Sequence, residues 1–325
     1  MKRKRFIIIL LTILVLIAAS GSFYELMLSQ TYPAPGQFVV VGDHQLHLRK
    51  MGEGSPTIIL EAGSAESSLI WRDLPEQLAK FAAVVSYDRA GYAWSEKAKT
   101  PRTGENIVSE LYAALQKLDM EGPYILVAHS AGGLYSRLFA MKYPEVVAGL
   151  LLLDPTPENF SQESAMIYAK EGIDPNDTGL PSDTMLRVMK HTGILRLLKD
   201  SLLSQLPEEE RSRFIDVELN GSYVDTIEQE NSLLGLTEKE LQGQKIGSIP
   251  LRIITHGVPN DATLLGMSVE SSNRLEDIWQ KLQQETLQIS SDSKLIVAKN
   301  SGHMIMHDEP ELVLETIREL WLAVQ

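Results

Sequence analysis

Apolar positions fall into short runs separated by polar turns, and the runs alternate with stretches of helical spacing. Gln37-Phe38-Val39-Val40-Val41 and Gln45-Leu46-His47-Leu48-Arg49 flank the turn Gly42-Asp43. The alternation in the second run predicts an antiparallel hairpin. Thr57 to Leu60, Ala83 to Tyr87, Tyr124 to Val127, Val147 to Leu153, Pro250 to Thr255 and Lys294 to Ala298 read as further strands. Between them, helical spacing marks Trp71 to Phe81, residues 103 to 118, Gly133 to Ala140, Ser271 to Leu287 and Pro310 to Val324. Strands alternating with helices predict an α/β fold, a mostly parallel sheet covered by helices on both faces.

From Pro155 to about Gly247 the strand pattern stops, and the chain becomes helical, polar and irregular, with acidic clusters such as Glu208-Glu209-Glu210. Residues 156–247 are therefore expected to form a helical cap inserted between two parts of a core, 37–155 and 248–325. Residues 25–36 read as a linker, marked by Pro33 and Pro35-Gly36. Ahead of it, Lys2 to Arg5 are basic and Phe6 to Ala19 are apolar except for Thr12. Residues 1–24 are expected to be a membrane anchor or a signal peptide. The strict run has signal-peptide length, with Ala18 and Ser20 at the −3 and −1 positions for cleavage, while its extension through Tyr24 is just long enough to span a bilayer. Either way the basic end lies in the cytoplasm and the remainder outside.

The chain has no cysteine among its 325 residues. That excludes disulfides, thiol catalysis and cysteine-ligated zinc. A net charge of −13 argues against a nucleic-acid partner or an anionic lipid surface. The turn after the first parallel strand lacks G-x-G-x-x-G, and there is no Gly-Lys-Ser loop, so no nucleotide site and no cofactor are expected. His303 and His307 stand four apart without the glutamate a zinc protease needs, and no metal site is expected.

The candidate chemistry centres on Ala128-His129-Ser130-Ala131-Gly132. A strand, a sharp turn carrying a serine, then a helix exposes the hydroxyl at the sheet's carboxyl edge and aims the next amide at an oxyanion. Ala128 occupies the place of the first glycine in G-x-S-x-G and is still small. A serine nucleophile needs a base, a carboxylate that orients the base, and oxyanion donors. His303 follows the last strand in Ser301-Gly302-His303, on the edge that carries Ser130. The amides of Ala131 and Ser64, the latter after Gly63, are the candidate oxyanion donors. Two aspartates end strands on that edge: Asp154 after Val147 to Leu153, and Asp261 in the loop after Pro250 to Thr255. Position alone leaves both open as the acid.

In order along the chain, Leu60-Glu61-Ala62-Gly63, Tyr87-Asp88-Arg89-Ala90-Gly91-Tyr92-Ala93-Trp94-Ser95, Val127 to Gly133, Leu153-Asp154-Pro155 and Ser301-Gly302-His303 resemble the α/β-hydrolase superfamily, in a bacterial branch with an extracytoplasmic catalytic domain. The likeness runs from about Pro33 to the C-terminus, most of the cap excepted. It implies the α/β-hydrolase fold and, because similar sequences often lack a fixed aspartate after the penultimate strand, Asp154 as the acid. Two departures stand out: Ala128 replaces the elbow glycine, and Glu61-Ala62-Gly63 replaces the His-Gly of many members. The expected function is a serine hydrolase acting on a small ester-like substrate through Ser130, His303 and Asp154. The same triad would serve amide, thioester or C–C bond cleavage, and the scaffold also occurs in non-catalytic binding proteins.

Overall fold

The structure is a computed structural model that describes residues 2–325, without the side chains of Lys2, Leu10, Leu11, Ile13, Leu14 and Ala18. The chain opens with α1 (Lys2–Leu28) and the hairpin β1 (Gln37–Val41) and β2 (His44–Met51). Then come β3 (Thr57–Glu61), α2 (Leu74–Leu78), β4 (Val84–Tyr87), α3 (Gly104–Lys117), β5 (Tyr124–His129), α4 (Gly132–Lys142) and β6 (Val147–Leu153). The inserted segment holds α5 (Phe160–Glu171), α6 (Asp183–His191), α7 (Ile194–Leu202), α8 (Glu208–Arg213) and α9 (Tyr223–Leu241). The chain closes with β7 (Leu251–His256), α10 (Val269–Thr286), β8 (Ser293–Ala298), the short α11 (Ile305–Asp308) and α12 (Pro310–Ala323).

The eight strands form one sheet in the order β1-β2-β4-β3-β5-β6-β7-β8, antiparallel at β1–β2 and β2–β4 and parallel from β4 onward. All six residues of β5 are buried, as are Leu150 to Leu153, because helices cover both faces of the sheet. One layer of core joins Ile59, Leu126 and Leu152 to α3 and α4; the other joins Ile58, Val127 and Leu151 to α2 and α12. Every parallel strand ends on the same edge, so the loops after β3, β5, β6, β7 and β8 converge there.

Three local expectations are corrected. The helix expected over Trp71 to Phe81 is a 3₁₀ turn, Ser68–Trp71, followed by α2. Pro75 lacks an amide hydrogen and is tolerated only in a first turn, so the helix begins beside it. The segment read as a linker from residue 25 stays helical through Leu28. Its Glu25 is buried against Arg196 of α7, with Nε 2.8 Å from Oε2, and Gly21 lies so close to Thr192 that a Cβ there would sit 2.0 Å from its carbonyl oxygen. The end of α1 is thus pinned to the junction of α6 and α7. Third, the His303 loop leads into α11 before the final helix.

Among the described residues, no helix is long and apolar enough to cross a membrane. The expected anchor falls partly on Met1 and on the side chains outside the description, and to that extent it lies outside the described residues.

Candidate active site

Ser130 sits at the tip of the turn between β5 and α4 with φ of 52°, a left-handed conformation that a non-glycine residue rarely adopts. The turn is held by the Ser130 amide donating to Leu153 O at 3.0 Å and the Gly133 amide donating to Ser130 O at 2.9 Å. Two glycines let α4 start this tightly. A Cβ on Gly132 would lie 2.5 Å from Ala62 O, and one on Gly133 would lie 2.7 Å from Pro155 Cβ. Ala128 is fully buried between neighbouring strands, and its methyl is accommodated.

His303 Nε2 lies 3.0 Å from Ser130 Oγ, and its Nδ1 lies 2.6 Å from Asp154 Oδ2. An Nδ1–H that donates to the carboxylate leaves the Nε2 lone pair facing the serine hydroxyl. Asp154 also has a left-handed backbone, φ 43°, and is fully buried. Its Oδ1 accepts from Trp279 Nε1 at 3.0 Å and from Thr255 Oγ1 and the His256 amide, both at 3.3 Å. Burial opposes its charge, yet these donors and the two imidazoles on Oδ2 hold its pKa far below the ordinary carboxylate value. Asp261 is not bonded to His303: its exposed side chain caps the 3₁₀ turn Ala262–Leu265 by accepting from the Thr263 amide at 3.0 Å.

Ser64 and Ala131 follow β3 and β5 on this edge. Among the described residues, neither amide has a hydrogen-bond acceptor in the protein. The neighbouring Gly63 amide is engaged, donating to Glu66 Oε2 at 2.6 Å. Glu66 also accepts from His129 Nδ1 at 2.8 Å, and His129 Nε2 donates to the carbonyl of His303 at 3.0 Å. Burial disfavours the His129 cation, but Glu66 outweighs it and raises the pKa.

Several residues escaped sequence reasoning. Arg89 is buried beneath the β3 loop, donating to Ala62 O at 2.7 Å, Gly63 O at 2.6 Å and Glu61 Oε1 at 2.9 Å. Its remaining face pairs with Glu230 of α9 at 3.0 Å. The signal was present, since Glu61 and Arg89 both belong to the resembling segments, but Glu230 lies 141 residues from Arg89 within the least readable part. His256 and Glu276, which stand behind Asp154, carried no motif at all.

Ser130 and His303 form part of the wall of a cavity of about 920 Å³ between the sheet edge and the inserted helices. Phe160, Tyr168, Leu234, Leu275 and Trp279 supply apolar wall. Among the described lining residues there is no lysine or arginine, while Asp261 and Glu276 contribute carboxylates.

An eight-stranded, mostly parallel sheet with a serine elbow after β5 and a histidine after β8 is a known arrangement, and residues 56–188 match the profile of the alpha/beta hydrolase fold. The chain has the α/β-hydrolase fold. An uncharacterized protein of Bacillus subtilis (strain 168), YqjL, is 26% identical over 275 residues, covering 84% of this chain and 87% of that one. An epoxide hydrolase from Vigna radiata superposes with a TM-score of 0.63 at 18% identity, over 87% of this chain and 96% of that one. A thermophilic esterase from Thermogutta terrifontis gives 0.59 at 17%, over 89% and 99%. These two neighbours share the fold and differ in the bond they cleave, one an epoxide hydrolase and the other an esterase.

Proposed function

We propose that this α/β-hydrolase cleaves carboxylic esters through an acyl-enzyme on Ser130. The observation that carries the reading is the line from Ser130 Oγ to His303 Nε2, 3.0 Å, and from His303 Nδ1 to Asp154 Oδ2, 2.6 Å, opening on the cavity. Ser130 Oγ attacks the acyl carbon as its proton passes to His303 Nε2. Asp154 holds the imidazole in the working tautomer and stabilises its cation. The amides of Ser64 and Ala131 receive the oxyanion. His303 returns the proton to the departing alkoxide, and a water deprotonated by the same nitrogen then releases the acid.

Nucleophile chemistry favours an acyl substrate over an epoxide. A serine oxygen that opens an epoxide forms an ether, which water does not cleave under these conditions. One that attacks an ester forms a new ester, which water resolves. The lining favours an apolar substrate that is uncharged or cationic, since a carboxylate-bearing one would face Asp261 and Glu276 without a partner cation.

Attachment to the membrane through residues 1–24, with the catalytic domain outside the cytoplasm, is part of the same proposal; its alternative is release after cleavage behind Ser20. The basic cluster ahead of the apolar run supports it. Protease added to intact cells should digest the domain, and a mature N-terminus at Gly21 would replace the anchor by secretion.

The test of the chemistry is fluorophosphonate labelling and p-nitrophenyl ester turnover of the full chain beside Ser130→Ala. Labelling should map to Ser130, and the variant should lose about 10³-fold or more of its turnover while keeping its melting temperature. Turnover retained by a clean Ser130→Ala preparation would overturn the assignment.

A further inference from the structure

Asp154 serves two histidines, and the mechanism above uses only one. Its Oδ2 lies 2.6 Å from His303 Nδ1 and 2.7 Å from Nδ1 of His256, the last residue of β7. The His256 side chain is inaccessible to solvent. Its other nitrogen, Nε2, lies 2.9 and 3.1 Å from the two carboxylate oxygens of Glu276 on α10. An imidazole with a carboxylate on each nitrogen donates from both, and an imidazole that donates from both is a cation. Burial works against that charge, and the two carboxylates overcome it, pushing the pKa up to about 9.

The groups facing His256 come from three directions. Asp154 arrives from β6, Glu276 from α10, and His303 from the loop after β8 through the shared oxygen. The other polar neighbours are neutral: the Gln280 amide nitrogen lies 3.1 Å from His256 Nε2 but spends its two hydrogens on Glu276 Oε1 at 2.8 Å and His256 O at 3.3 Å, and Trp279 and Thr255 occupy Oδ1 of Asp154. Among the described residues no lysine or arginine pairs with Asp154 or Glu276. Glu276, His256, Asp154 and protonated His303 thus form a row of alternating charge. The first member of the row lines the substrate cavity and the last is the base.

We propose that His256 is a positioning residue, a charged imidazolium that fixes Asp154, ties it to the cavity wall through Glu276 and sets the basicity of His303. The inference rests on the Ser130–His303–Asp154 reading. The Asp154 charge that orients His303 also attracts the cation His303 becomes when it takes the serine proton. The His256 cation on the same oxygen offsets part of that attraction. Glu276 offsets part of the offset, and because it faces the cavity, a group bound there has an electrostatic path to the base.

The pH dependence of Ser130 labelling by a fluorophosphonate reads the base without requiring the natural substrate. In the full chain, His256→Asn keeps a donor near the Nδ1 position and removes the charge. The acid limb of its labelling rate should move to higher pH by about one unit or more, the shift expected when a charge within about 6 Å is lost. His256→Gln, a longer amide that also carries no charge, should move its limb in the same direction. A purely structural role would lower melting temperatures and leave both limbs in place. Labelling with unmoved limbs in folded variants overturns the inference alone. If His256→Asn does not fold, His256→Gln decides: an upward shift supports the row, and no shift or a downward one overturns it. Absence of labelling in the wild-type protein at every pH overturns the Ser130 reading and takes this inference with it.

Discussion

Asp154→Asn is the substitution that separates a working carboxylate from a turn former. The side chain accepts five hydrogen bonds, two on Oδ2 from imidazoles at 2.6 and 2.7 Å and three on Oδ1 at 3.0 to 3.3 Å. An amide of the same shape offers one acceptor oxygen and turns an NH₂ toward whichever set of donors it displaces. If the NH₂ faces His303, that ring must present Nδ1 as an acceptor and carry its proton on Nε2, the nitrogen that should receive the serine proton. The loss in comparable triads is about 10⁴-fold. The change also strips a buried cation, His256, of one of its two partners, at a cost of about 3–5 kcal/mol. The Asp154 pKa is depressed on folding, so its contribution to stability is complete above the ordinary carboxylate value and fades as pH falls through the folded one. The penalty of the variant should therefore be fully visible at pH 7. Asp261 is exposed and bonded only to the turn it caps, so Asp261→Asn should stay within a few tenths of a kcal/mol and within a few-fold in rate. Ester turnover and urea unfolding of both variants at pH 7 provide the comparison. A folded Asp154→Asn within tenfold of wild-type turnover would refute the role, as would an Asp261→Asn that is the slower enzyme.

Two further substitutions examine the frame of the site. Arg89→Met leaves Glu61 and Glu230 buried without their cation and releases the carbonyls of Ala62 and Gly63; it should cost about 3–5 kcal/mol in urea unfolding, with part of the loss recovered by adding Glu230→Gln. Equal stability of Arg89→Met and wild type would remove the clamp from the account. Glu218, buried on the irregular turn Phe214–Glu218 beside Ser67, has its pKa raised from 4.5 to about 8, chiefly by burial, with Asp88 adding to the shift. The unfolded chain ionises this group first, so its effect is to drain stability as pH rises from about 4.5 to 8. Glu218→Gln should match wild type near pH 4 and exceed it by several kcal/mol, on the order of 4, at pH 8. A difference independent of pH would contradict that origin.

What was legible in the sequence was whatever short range determines. Val147 to Leu153 is a seven-residue apolar run between turn signals, and the strand occupies those seven residues. The serine elbow was legible because strand, turn and helix are contiguous. Where the sequence misled, a local rule was outweighed by a nearby residue or a distant contact. Pro75 cut short an otherwise helical pattern, and Arg196 and Thr192 prolonged α1 past the point where the apolar run ends. His256 was invisible for a different reason. As the last residue of a buried strand it resembles any core histidine, and its meaning comes from Asp154, 102 positions earlier, and Glu276, 20 positions later. Neither spacing corresponds to a periodicity of one element, so no pattern along the chain could have joined them.

The inserted helices are part of the site's framework, and this decides how substrate preference can be tested. Helix α9 sends Glu230 into the buried pair with Arg89, while its next residue, Asn231, accepts from Ser64 Oγ at 2.8 Å. Removing the cap would unpair Arg89 and disturb the loop that carries the candidate oxyanion amide, so a deletion would report on folding. Helical spacing offers a cleaner perturbation. Gly235 stands four residues beyond Asn231, lines the same cavity, and a Cβ built there meets no atom within 4 Å. Gly235→Phe should fill part of the cavity without displacing a neighbour, and exchanging glycine inside a helix relieves a propensity penalty of a few tenths of a kcal/mol. The melting temperature should hold or rise. Turnover of p-nitrophenyl acetate should change by less than about threefold, whereas an ester with a long acyl chain should lose about tenfold or more in kcat/KM, the cost of roughly two displaced methylenes. Equal losses on both esters would leave the chain-length profile unchanged, placing the acyl group outside this cavity and detaching α9 from specificity.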